Sequence, residues 1–125
     1  MKSITKNVEV LWKDTKRIFG MPLSFTKYAI ISKPGQWVKL VEESGVLSTN
    51  VEEVMAYRVD DVGVYQSVFG KLFNVGNVEV YCKDASTDVL VFKNVKNPYQ
   101  VKDLITDIVE RERKARNIHY SEVQY

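Results

Sequence analysis

The 125-residue chain has one cysteine, Cys82, and one histidine, His119. A single cysteine closes no intrachain disulfide and offers no thiolate cluster to zinc. A lone histidine has no second imidazole to share a metal with, and no nucleophile lies near it in the sequence to be activated. Long hydrophobic runs are missing as well. Charges interrupt each apolar segment well before the roughly 20 residues of a membrane span, and the lysine-bearing start MKSITKNVEVLWKDTKRIFG lacks the apolar run of a signal peptide. A cytoplasmic protein, membrane-peripheral at most, is the expectation. Gly-rich phosphate loops and the G-x-S-x-G nucleophile context are also lacking, so Ser67 is not read as a nucleophile. Asp60 and Asp61 are neighbours, and in an extended strand they point to opposite faces rather than around one substrate. Cys82 shares strand parity with Val78 and Val80 and is expected to be a buried, inert thiol. No catalytic residue, metal or cofactor is expected, and the chain reads as a non-enzyme.

What the sequence does have is enough apolar content, 45%, to bury the core of one domain. Its charge is polarised along the chain. Residues 1–41 carry eight basic and two acidic side chains, and residues 42–67 carry one basic and six acidic. Such a basic end can attract anionic lipid or nucleic acid, and an acidic middle can be the self-complementary half of an oligomer. Two ordinary solvated faces of opposite sign are the plainer alternative.

Strand patterns dominate. SFTKYAII and WVKLVEES flank Lys33-Pro34-Gly35-Gln36, whose Pro-Gly centre suits a type II turn. NVEEVMAYRV, DVGVYQS, NVEVYCKD and DVLVFKNV follow at close spacing, which predicts a bent antiparallel sandwich or small barrel. Between the strands, Val68, Phe69, Leu72 and Phe73 have helical spacing. They are expected to form a short corner helix that plugs the barrel, with Gly70, Gly76 and Asn77 supplying permissive backbone. A C-terminal helix should begin with Asn97 as cap and Pro98 in the first turn, with Gln100 as the capping-box partner. Val101, Leu104, Ile105 and Ile108 recur on one face, which should close an open end of the barrel. Beyond Val109 the helix has little to bury and is expected to project, stopping near Asn117. The tail IHYSEVQY is open between an edge strand and a loose end.

The stretch AYRVDDVGVYQSVFGKLFNVGNVEV resembles the signature of the bacterial pleckstrin-homology-like domains. The matching positions are Tyr57, Arg58, Val59, Asp61, Val62, Gln66, Ser67, Leu72, Val75, Gly76 and Val78. Upstream, Tyr28, Leu40, Gly45, Leu47 and Ser48 fit the preceding hairpin, and NPYQVKDLI fits the closing helix. The resemblance covers about Phe25 to Val109. It implies a bent antiparallel barrel, one end capped by the C-terminal helix, and an interaction role. The chain divides accordingly into a basic arm or first strand (1–24), the PH-like domain with its helix (25–117) and a tail (118–125).

Two sets of cations are candidate contacts. Lys13, Lys16, Arg17 and Lys33 are candidates for an anion or membrane surface, and Arg111, Arg113, Lys114 and Arg116 for a protein partner or a second copy. The expected function is a non-catalytic scaffold that binds protein or itself, with peripheral attachment to anionic membrane as the alternative. Nucleic acid is not expected, because Trp12, Trp37 and the tyrosines are not interleaved with most of the cations. Lys27, Lys33 and Lys39 are too dispersed for a specific inositol phosphate pocket.

Overall fold

The computed structural model describes residues 8–18, 24–46, 48–82 and 89–124, the last with side chains through 116. Among these residues, seven strands form two antiparallel sheets. The first is β1 (Glu9–Thr15), β2 (Lys27–Lys33), β3 (Trp37–Ser44) and β4 (Asn50–Met55), paired in that order. The second is β5 (Val59–Tyr65), β6 (Val75–Cys82) and β7 (Val89–Lys96). The two sheets do not share a hydrogen-bonded ladder, so the body is a bent sandwich rather than a closed barrel. The region 1–24, left open between an arm and a strand, supplies β1; residues 1–7 lie outside the described residues.

Local chemistry accounts for the corners. Between β2 and β3, Gln36 N donates to Lys33 O at 2.9 Å and Gly35 has φ 78°, the positive angle that a type II turn requires at its second central residue. Ala56–Arg58, expected as strand, is a 3-10 turn that carries the chain from β4 directly into β5. Ala56 is fully buried there, and the bend moves the chain from one sheet to the other.

The core lies between the sheets. Tyr28, Ile30, Leu40, Val78, Val80 and Phe92 are among its buried members, each on the inward parity of its strand. Phe92 is flanked by Tyr28 and Trp12, with ring centroids at 4.9 and 5.5 Å, within the range where aromatic pairs add to area burial. The unbroken apolar run of β2 has its own cause. Ala29 and Ile31 point to the other face of the first sheet, where they pack with Val41, Val8 and Trp37 in a small second cluster.

Helix α2 (Pro98–Gln124) starts where the sequence places it and covers β5, β6 and the 3-10 turn. Its buried face is Val101, Ile105, Ile108 and Val109, with Leu104 only partly buried. The helix does not stop near Asn117 but runs to Gln124, so the expected strand or loose tail is helical backbone instead. The His119 side chain lies outside the described residues.

Candidate functional site

The cations singled out by sequence do not gather into one surface. Lys13 is exposed on β1 opposite Ala29, beside Lys27 at a groove of about 480 Å³ on the outer face of the first sheet. The Lys16 amide donates to Thr26 O at 2.9 Å. Arg17 is turned into the seam between sheets: its guanidinium lies 3.1 Å from Asp14 and its amide donates to Asn94 O at 2.7 Å. Lys33 lines a separate cleft of about 350 Å³ with Trp37, Glu112 and Arg116.

The basic end of α2 does not simply project. Arg113 donates through Nη2 to the Val59 carbonyl. The Arg116 guanidinium lies 3.7 Å from the centroid of the Tyr57 ring, a cation-π distance. Both grip the β4–β5 corner of their own molecule, while Arg111 and Lys114 stay exposed.

A different surface has the properties of a contact site, and it was read from the sequence as interior. Helix α1 (Val68–Phe73) forms as its spacing predicts, but it does not plug the sandwich. Val68 is 82% exposed, Phe69 76%, Leu72 75% and Phe73 44%. The reason is on its opposite side. A Cβ added to Gly70 would stand 2.5 Å from the Val75 carbonyl oxygen, so the helix rests on β6 through its backbone, and glycine permits that approach. With side chains at about 100° intervals, a helix that lies on its Gly70 face turns the apolar arc outward.

Both ends of α1 are fixed. Ser67 caps the start, its hydroxyl accepting from Gly70 N at 3.0 Å, the role that N-cap serines fill. Asn74 ends it in the left-handed region, φ 55° and ψ 47°, its amide bonded back to Gly70 and Lys71 carbonyls. The left-handed residue here is Asn74, while Gly76 serves by close approach, since a Cβ there would stand 2.8 Å from the Tyr65 carbonyl oxygen. Asn74 also joins α1 to the start of α2: its side chain donates to Asn97 Oδ1, and Asn97 N donates to Asn74 O at 2.9 Å. At the flank of α1 runs a groove of about 260 Å³ lined by Phe69, Phe73, Val75, Ser67, Asn94 and Arg17.

Sequence reasoning found the helix and missed its direction, since two phenylalanines, a leucine and a valine fit a plug and a contact surface equally. The usable signal was Gly70 on the face opposite Val68 and Leu72.

A second polar feature sits in register across three strands, Tyr28 opposite Glu42 and Glu42 opposite Glu52. Burial pushes the Tyr28 hydroxyl up to about 12, opposed by a hydrogen bond with the Lys93 backbone and reinforced by Glu42. Tyr28 is thus a neutral core group. Glu42 is held above the usual carboxylate range, first by desolvation and then by Glu52, against the pull of Lys93 and Lys16. Such shifts can mark active sites, but a like-charged cross-strand pair is in itself a source of strain. Among the described residues no three His, Cys, Asp or Glu side chains are grouped to hold a metal ion, and Cys82 is a half-buried thiol packed against the core. Comparison with protein-family models, curated proteins and solved structures finds no match to this chain.

Proposed function

We propose that this chain is a non-catalytic interaction module of the pleckstrin-homology-like kind, acting in the cytoplasm, and that it docks through the exposed face of α1. The four-plus-three antiparallel strands followed by a covering helix accord with the architecture that the sequence resemblance implies. The docking reading rests on one observation: four large apolar side chains stand in solvent on a helix capped at both ends. A contiguous exposed apolar patch of a few hundred Å² on a monomer is commonly a contact site, and an ordered helix loses little entropy when it binds.

This moves the contact away from the charged helix end. Arg113 and Arg116 are engaged with Val59 and Tyr57 of the same molecule. That weakens them as donors to the acidic strands of a second copy.

Tracking of fluorescently tagged protein in the producing cell tests docking whatever the partner. The wild type should show a slowly diffusing fraction, and Phe69→Ser/Leu72→Ser should convert it to free diffusion without lowering the melting temperature, since both residues are exposed. A wild type that diffuses throughout as a free small protein would sink the reading.

A further inference from the structure

We infer that the surface on which α1 docks is an anionic lipid bilayer, an inference that rests on the docking reading. Composition is the first reason. The face consists of Val68, Phe69, Leu72 and Phe73, and the only charge on the helix is Lys71. Phe occurs in protein interfaces as well, but Leu and Val are under-represented among protein-protein hot spots, Lys is depleted from interface cores, and no Trp, Tyr or Arg stands on this helix. Phe and Leu beside Lys are instead the pairing of helices that lie in the bilayer interface.

Geometry gives the second reason. At about 100° per residue, the four apolar positions span an arc of about 140°, with Gly70 about 60° beyond the Phe73 edge, on the side that rests on β6, and Lys71 about 60° beyond the Val68 edge. The side chains can enter the acyl boundary while the Lys71 stem lies along it and carries the ammonium to the headgroups. Area is the third. Four side chains of this size at these exposures present on the order of 500 Å², short of the roughly 800 Å² per partner of a stable protein interface. A bilayer needs no complementary counter-surface.

Charge fits as well. Among the described residues no acidic side chain lies on α1 or lines its flanking groove. Glu43, Glu52, Glu53, Asp60 and Asp61 belong to β3, β4 and β5. This is not the attachment by Lys13, Lys16 and Arg17 that charge counting suggests, since Arg17 is paired with Asp14. The apolar face supplies insertion and Lys71 the preference for anionic headgroups.

Cosedimentation of the full chain with phosphatidylcholine vesicles, with or without phosphatidylserine, tests this. The wild type should bind, more strongly when phosphatidylserine is present. Phe69→Ser/Leu72→Ser should lose about tenfold or more of the partitioning. Lys71→Ala should remove most of the anionic preference while leaving weaker, salt-insensitive binding. Absence of wild-type binding, or binding unchanged in the double variant, overturns the inference. Loss of vesicle binding alongside an α1-dependent slow fraction in cells overturns the lipid assignment and leaves the docking reading standing. Self-association abolished by the double variant in light scattering, without vesicle binding, overturns it in favour of a second copy.

Discussion

Glu42 and Gly70 show how a single side chain, or the lack of one, sets stability here. Glu42 is held above the ordinary carboxylate range by burial and by Glu52, so the folded chain holds its proton more tightly than the unfolded chain does. Stability from this group is therefore present in acid and is lost as pH rises from the ordinary carboxyl range through the raised value. Glu42→Gln should raise the melting temperature at neutral pH, and the gain should vanish below that range, where the wild-type carboxyl is protonated in both states. Melting curves across pH check this; a gain that is constant with pH would exclude titration as its cause. Gly70 runs against the usual expectation. Alanine for glycine in an exposed helix ordinarily gains about 1 kcal/mol, but here the new Cβ meets the Val75 carbonyl. Crowding of this kind costs about 1 to 3 kcal/mol, so Gly70→Ala should destabilise, as measured by urea titration.

At the scale of elements, the two helices show what could be read from sequence and what could not. The start of α2 was legible because Pro98 admits few alternatives, and its buried face because Val101, Ile105 and Ile108 recur at helical spacing. Membership at the margin was not: Leu104 is partly exposed and Val109 is buried, a rotation of the face that depends on the crossing with β5 and β6. Ile105→Ala should accordingly cost about 2 to 5 kcal/mol, and Leu104→Ala clearly less, as denaturant titration of both variants would show. Strands β2 to β7 were legible from their apolar patterns and from the Pro-Gly turn, whereas β1 was left open between an arm and a strand. The 3-10 turn at Ala56–Arg58 was not, since its residues continue an acceptable strand pattern. The direction of α1, on which the candidate site depends, could not be read because the choice between inside and outside is made by the contact of Gly70 with Val75. Nor could the pull of the helix end back to the body, which depends on a carbonyl at Val59 left available by the sheet bend. Truncation after Glu110 removes both the Arg113 and Arg116 contacts and should lower the melting temperature; an unchanged value would show that the two arginines add nothing to folding.

The whole molecule is two sheets joined along two seams of different strength. One is covalent, the passage from β4 through Ala56–Arg58 into β5, and α2 pins it through Arg113 at Val59. The other, between β1 and β7, is held by polar groups around one carboxylate. Asp14 accepts from Thr15 N at 2.8 Å, from Lys96 N at 2.9 Å and from the Arg17 guanidinium at 3.1 Å, while Arg17 N reaches Asn94 O at 2.7 Å. Its side chain is only 9% exposed, so removal would leave a cation and two amides without the group that they surround. The group is part-buried, so leaving its donors unsatisfied costs about 1 to 3 kcal/mol. Asp14→Ala should therefore open the second seam before the first. In native-state hydrogen exchange, the Arg17 amide, which donates to Asn94 O across this seam, should lose protection more than the Val80 amide in β6, the central strand of the second sheet. Equal loss across both sheets would mean that Asp14 contributes to global stability without closing the sandwich. Asn94 lines the groove beside α1 and also accepts the Arg17 amide, so the same variant should disturb the groove wall while the α1 apolar face, anchored independently through Gly70 and Asn74, keeps its place.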